Sequence, residues 1–419
     1  MGAGDWGLGT REKGREKQPP SAAFFSSPQP LVPSPWPLRL RRTMHDCLIV
    51  GGGVIGLSLA YELARRGMKV RVVDRQLPGR EASWAAAGIM PPAPSRPDLT
   101  PLERLTALSM RLHADWAGRL LEETEINYGY QRCGGFQLAD SDAAVAELQR
   151  QAAIWRQDGV AVESLSPAAV SELEPALAEA AESGLLRSAL LLPDEVQIRN
   201  PRFLQALTSA CAARGVEITA GAEVEEFDCD GGRMRAVRTR HGQLVADRFC
   251  ITSGCWSGLL LARLGIPVAV KPIRGQIVLL SMPDMILKRI VYVGPHYFVP
   301  RDDGRILVGS TLEDVGFNRQ TTSAVIRDLL DLAMAWVPAL READFERCWA
   351  GLRPASGDGL PYLGRLPGLD NAYVAAGHFR SGLILSPATA VVMAQLIQGQ
   401  EPAVDLHPFR AERELAHGR

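Results

Sequence analysis

Residues 348–365 read CWAGLRPASGDGLPYLGR and place Arg353 between Leu352 and Pro354, just after Trp349, Ala350 and Gly351. A guanidinium among apolar and small neighbours is costly unless an anion meets it. The residues leave that anion open. It is either an acid of the chain such as Asp358, making a structural salt bridge, or an anionic ligand. His296 and His378 are able to move protons, but lone histidines are more often structural, and neither is assigned chemistry. The seven cysteines, at 47, 133, 211, 229, 250, 255 and 348, form no CxxC pair and no zinc-like spacing. An odd, dispersed set reads as reduced thiols of a cytoplasmic protein, with no metal site.

A second stretch is built for phosphate. CLIVGGGVIGLSLAYELARRGMKVRVVDR (47–75) reads as a short apolar strand, a GxGxxG turn at Gly51, Gly53 and Gly56, a helix over 57–66, and a second strand closed by Asp74. Gly51 permits the tight turn, Gly53 lets a pyrophosphate approach the backbone, and Gly56 lets the helix pack close to the strand. The helix N-terminus then faces the phosphates, and Asp74 is placed to bond a ribose hydroxyl. These residues leave NAD, NADP and FAD open. Asp74 argues against NADP, whose 2′-phosphate it would repel. The loop GREASWAAAGIMPP (79–92) tilts the choice to FAD, because Ser83 and the run Ala85-Ala86-Ala87-Gly88 let a large cofactor lie against the backbone.

The elements that must position these groups alternate along 419 residues, enough for more than one domain. Helical spacing is predicted over 100–121, 143–158, 167–182, 201–214 and 323–336, and strands over 216–220, 223–227, 271–281, 290–301 and 305–312. A hairpin spans 234–252 and leads into the Ser253-Gly254 corner. Residues 372–397 give a strand, a glycine corner and a helix. Hydrophobic residues make up 46% of the chain and the formal net charge is −1, so no basic excess exists to bind nucleic acid. No apolar run reaches the roughly 20 residues of a membrane span, and no membrane contact is expected. Residues 1–43 are Pro-interrupted and basic; they read as a disordered extension, or as sequence ahead of a true start at Met44.

Taken in order, GGGVIGLSLAYELA, REASWAAAG, ITSGCWSG, KPIRGQ, HYFVPR, WAGLRP and GHFRSGLILSPAT resemble the FAD-dependent amine oxidases of the D-amino-acid oxidase type, in particular their glycine oxidase branch, from Met44 to about Phe409. The resemblance implies an α/β fold: an FAD-binding Rossmann-like domain (44–125, 195–262 and 345–412) interleaved with an α+β substrate domain on an antiparallel sheet (126–194 and 263–344). Residues 413–419 are left as a C-terminal tail. It further implies noncovalent FAD held by Gly51, Gly53, Val54, Ile55, Gly56 and Asp74, and by Ser83, Ala86, Ala87, Gly88 and Met90. Val224, Ser253, Gly254 and Trp256 belong to the same set, as do Gly377, His378, Arg380, Gly382, Leu383 and Ile384. Arg353 would bind the substrate carboxylate, Tyr297 would reach the same group, and Arg380 would border flavin and substrate. Leu312 stands where some glycine oxidases place a methionine beside the substrate.

The implied reaction takes a small amino acid and oxygen to an imine or oxo acid and hydrogen peroxide. From glycine the products are glyoxylate and ammonia, or an imine feeding the thiazole of thiamine. The resemblance also implies a homo-oligomer, since family members are often tetramers. A dehydrogenase of the same fold passing electrons to a quinone is the alternative. A flavin module acting on tRNA is disfavoured by the absent basic patch. A flavin-stabilised binding protein would have little reason to keep both Arg353 and Tyr297.

Overall fold

The computed structural model describes residues 45–413. The expected N-terminal extension and nearly all of the expected C-terminal tail lie outside them. Two eight-stranded sheets organise the described chain.

The first sheet grows from the glycine-rich turn. His45–Val50 pairs in parallel with Val70–Val73 on one side and with Gly242–Ile251 on the other. Glu217–Thr219 extends it in parallel beyond Val70–Val73, and Ala372–Ala376 pairs in parallel with Gly242–Ile251. Strands buried on both faces read as continuous apolar runs, and CLIV (47–50) does so here. The helix Val54–Arg65 buries ten successive residues from Val54 to Leu63, because helices Asn200–Ala213 and Gly382–Ile397 pack on it as the sheet does. Glu62 within it is 3% exposed and is matched by Arg65 at 2.6 Å and Arg66 at 2.8 Å.

The second sheet runs Asp344–Ser356, Val270–Ser281, Arg305–Gly309, His296–Pro300, Ile290–Val293, Gly135–Ala139, Ser188–Leu192, Glu163–Leu165. All its pairings are antiparallel except Ile290–Val293 against Gly135–Ala139. Helix Ser323–Trp336 covers it through Leu329, Ala333 and Trp336. The strand carrying Arg353 therefore belongs to this sheet, on the other side of the boundary drawn at 345. It is an edge strand, where Pro354 costs little because no neighbour needs its missing N–H.

Two further expectations differ. The helix over 167–182 is broken into Pro167–Leu173, Pro175–Leu177 and Ala178–Glu182, since Pro175 cannot continue an α-helix. The strand over 290–301 is a hairpin, folded at Gly294-Pro295. The stretch Phe379–Ile397 is long and apolar enough to cross a membrane by length and composition, although 61% of it is buried inside the protein. It packs against helices Val54–Arg65 and Pro101–Thr124.

Candidate active site

Where the two sheets meet lies a cavity of about 560 Å³, within the range of small-molecule and cofactor sites. Its first-sheet wall is set by the glycine turn. Gly51 has φ +113°, and a Cβ there would lie 2.6 Å from the Thr252 carbonyl oxygen. A Cβ on Gly56 would lie 1.9 Å from the Gly51 carbonyl oxygen, so Gly56 serves the turn from behind and does not line the cavity. The helix that follows has no side-chain cap at Gly53 and no acid in its first turn. Its positive end faces the cavity, with only Val54 N taken, by Ser83 Oγ of the neighbouring loop, among the bonds of the described residues.

Asp74 lines the cavity, accepting from Gly52 N at 2.7 Å and Gln76 N at 2.9 Å. Burial pushes its carboxyl up, against those two N–H donors. Val224, Ser253, Gly254 and Trp256 complete this wall, with the Arg75 guanidinium 3.5 Å over the Trp256 ring.

The loop after Asp74 is tied down at several residues. Ala82–Ala85 makes one helical turn where a plain loop is expected. Ser83 Oγ accepts from Val54 N at 2.9 Å, and Asn200 Nδ2 donates to the Ser83 and Trp84 carbonyls at 2.9 and 2.7 Å. Trp349 Nε1 donates to Ala85 O at 3.1 Å. Arg301, only 7% exposed, donates to Ala87 O (2.6 Å), Gln197 Oε1 (2.9 Å) and Ile198 O (3.0 Å). Burial pulls this guanidinium down to about 10, so it stays charged at neutral pH. Ala86, Ala87 and Gly88 line the cavity. Met90 does not: its side chain is fully buried in the core formed with Leu105 and Trp116, which corrects its place among the cofactor contacts.

A second helix end faces the cavity. Gly382–Ile397 begins without a side-chain cap or an acid in its first turn, and Gly377, His378, Arg380, Gly382, Leu383 and Ile384 all line the wall. Pro387 inside this helix removes an N–H and would orphan a carbonyl. Helix Pro101–Thr124 repairs the gap: His113 Nε2 donates to Leu383 O and Ile384 O, each at 3.1 Å, and Ser109 Oγ donates to Ile384 O at 2.7 Å. Ala388 N in turn donates to Ser109 Oγ at 3.2 Å. Phe379, just before the helix, holds φ +48°, a left-handed conformation that costs energy for a side chain of this size. His378 is buried beside Thr389 Oγ1 at 3.2 Å, and burial pulls it down to about 3, so it is neutral.

Arg353 comes from the second sheet. Its Nη1 donates to Thr311 O at 3.0 Å and its Nη2 to Ser310 Oγ at 2.7 Å. Tyr297 stands alongside, and both residues line the cavity. Among the described residues no carboxylate pairs with Arg353. The acid that competed for it, Asp358, is taken by Arg413 at 2.7 and 3.0 Å. Burial lowers the Arg353 guanidinium from its usual range, Tyr297 partly offsets this, and the nearby charge of Arg380 adds to the lowering. Burial in turn raises the Tyr297 hydroxyl. Arg380 itself is exposed at the rim of the cavity. Gly275 leaves room for the guanidinium, since a Cβ there would lie 2.2 Å from Nη2. Leu312 is 58% exposed and does not line the cavity, so the pocket is not narrowed at that position.

Two open helix ends, glycines that admit a backbone-hugging ligand and an acid at the end of the second strand fit a long dinucleotide with a second, electron-rich end. The model of the FAD dependent oxidoreductases matches residues 46–396. The chain belongs to this family. It is 34% identical to the glycine oxidase of Geobacillus kaustophilus over 372 residues, covering 88% of this chain and 97% of that protein. It is 33% identical to the bifunctional protein ThiO/ThiG of a Nostoc species, spanning 88% of this chain and 55% of that one. The crystal structure of the Geobacillus glycine oxidase superposes with a TM-score of 0.83, covering 88% of this chain and 99% of that one.

Sequence reasoning missed Arg301, Asn200, Trp349 and Tyr292, which tie the loop or line the wall. For Arg301 a signal was present, a charged residue ending the apolar strand HYFVP.

Proposed function

We propose that this chain is an FAD-dependent oxidase of glycine and similarly small amino acids, releasing imine or glyoxylate, ammonia and hydrogen peroxide. The observation that carries this reading is Arg353, a charged, partly buried guanidinium on the cavity wall with no carboxylate partner among the described residues. Guanidinium and carboxylate pair through two parallel hydrogen bonds, which both neutralise and orient an amino acid. FAD, when bound, supplies the two-electron acceptor for the substrate α-C–H and passes the electrons to oxygen. The chain does the rest by positioning. Arg353 and Tyr297 fix the carboxylate, the glycine turn and the two open helix ends hold the cofactor, and the tied loop 79–88 keeps both in register.

FAD is noncovalent in this reading. The cavity wall carries one cysteine and one histidine, Cys255 and His378. Burial pushes the Cys255 thiol up to about 12, and it donates to Leu352 O at 3.1 Å, so it is a protonated thiol and a poor nucleophile. All seven cysteines are unpaired, which supports a reducing, cytoplasmic setting. The similarity to a ThiO/ThiG protein supports delivery of the imine to thiazole formation, and a homo-oligomer is carried over from the family.

The test is the visible spectrum of the purified holoprotein. Glycine added without oxygen bleaches the flavin band, and air restores it with release of peroxide. A band that glycine leaves untouched refutes the substrate, and bleaching that air does not reverse refutes oxygen as acceptor.

A further inference from the structure

Behind the cavity wall sits a carboxylate that the reading above does not use. Glu195 is 1% exposed, in the bend between Ser188–Leu192 and Val196–Gln197. Its backbone carbonyl accepts from Cys133 N at 3.1 Å and Gly134 N at 3.0 Å. Its side chain occupies the space a residue larger than glycine would take at 135, where a Cβ would lie 2.1 Å from Oε2. Oε1 accepts from the hydroxyl of Tyr292, and Oε2 has no hydrogen-bond partner. A buried carboxylate left half-satisfied is expensive, and needs a reason.

Tyr292 supplies one. It lines the cavity, and it is the cross-strand partner of Tyr297 in the hairpin 290–300. Side chains paired in this way start about 5 Å apart, so Tyr292 stands next to the carboxylate clamp. In an α-amino acid the amine and the carboxylate share one carbon. A substrate clamped by Arg353 therefore presents its ammonium within reach of the Tyr292 side of the wall. The carboxylates that line the cavity directly, Asp74, Glu81 and Glu223, all belong to the first-sheet wall or the loop tied to it. Among the described residues the charged groups at the clamp are the cations Arg353 and Arg380, which favour loss of the ammonium proton.

We infer that Tyr292 and Glu195 form a relay that takes the proton from the substrate ammonium before oxidation, a step that deepens and rests on the function proposed above. The substrate N–H bond breaks as an O–H bond forms at Tyr292 Oη. The Tyr292 O–H breaks as one forms at Glu195 Oε1. The ammonium becomes the neutral amine, the Glu195 carboxylate becomes the acid, and the cavity's total charge is unchanged. Burial raises Glu195 to about 7, opposed only by the Tyr292 hydrogen bond, which suits it to accept a proton at neutral pH and return it later. The titratable groups facing it are Tyr292 and Cys133, with Tyr297 beyond Tyr292 and Arg301 beyond Cys133. Tyr292 and Cys133 are both held in their neutral forms by burial.

The test compares holoenzyme, Glu195→Gln and Tyr292→Phe for anaerobic flavin bleaching by glycine between pH 5 and 10. The wild-type rate rises through a limb near pH 7. In both variants the limb moves up to the amine's own ionisation, giving roughly a hundredfold loss at pH 7 that vanishes at alkaline pH. Infrared titration of the same proteins gives a readout apart from turnover: a carboxylic-acid band that fades near pH 7 in the wild type and is missing from Glu195→Gln. A loss equal at every pH, an unmoved limb, or no titrating band overturns the relay while the oxidase reading stands. Wild-type protein that glycine bleaches at no pH overturns both.

Discussion

Replacing Arg353 by methionine tests the carboxylate clamp most directly. A guanidinium has five N–H donors, and here one goes to Thr311 O and one to Ser310 Oγ. Tyr297 lies against the same guanidinium, and the remaining N–H donors are left for a carboxylate. Methionine fills the volume of the stem but offers neither bond nor charge. Losing one partner of a desolvated, hydrogen-bonded charge pair costs about 3 kcal/mol, which is on the order of a hundredfold in kcat/KM for glycine. The Thr311 carbonyl and Ser310 hydroxyl also lose a donor, so melting temperature and FAD content are measured alongside. A short primary amine without a carboxylate serves as the control, because it never used the clamp. The expected result is a glycine-specific loss with FAD retained. Unchanged kcat/KM for glycine, or equal loss for glycine and the carboxylate-free amine, refutes the assignment and returns Arg353 to a structural role.

Gly275→Ala places a methyl where the Arg353 guanidinium now lies, 2.5 Å from Cζ. Glycine KM is expected to rise at least tenfold, with FAD binding unchanged by fluorescence titration. Glu195→Gln also makes a stability prediction with a definite sign. The folded-state value near 7 lies above the ordinary 4.5, so the carboxyl is not penalised below about pH 4.5, and the penalty grows as pH rises to about 7 and is then constant. Urea unfolding should show the variant gaining on wild type across that window, by up to about 3 kcal/mol; a difference independent of pH contradicts a raised Glu195.

The parts of this site that sequence made legible are the local ones. GxGxxG, Asp74 and the small-residue loop fall within about forty consecutive positions, and each has a steric or electrostatic reason that needs no tertiary knowledge. Arg353 was suspect because its sequence neighbours are apolar, and in the fold the competing acid, Asp358, pairs with Arg413 instead. What was not legible depends on residues far apart in the chain. Arg301 reaches back to Ala87, Asn200 to Ser83 and Trp84, and Tyr292 to Glu195. No periodicity announces such contacts. Met90 shows the converse error: adjacency to the cofactor loop suggested contact, but strand pairing with Val196 turns its side chain into the core.

The strand Asp344–Ser356 explains why tryptophan, glycine and arginine stand at alternate positions in WAGLR. Side chains alternate between faces of a strand, so Trp349, Gly351 and Arg353 share one. Trp349 bonds the Ala85 carbonyl, and Gly351 lets Ala85 approach so closely that an added Cβ would lie 2.6 Å from the Ala85 Cβ. Four residues further along the same face from Trp349, or about 13 Å of extended chain, Arg353 enters the cavity. The loop proposed to carry the cofactor and the arginine proposed to clamp the substrate are thus set by positions on one rigid strand, paired along its length with Val270–Ser281. A cofactor laid against Ala85–Gly88 and an amino acid held by Arg353 have a separation fixed by backbone geometry. Catalysis by positioning needs that constraint more than it needs any acid or base on the strand itself.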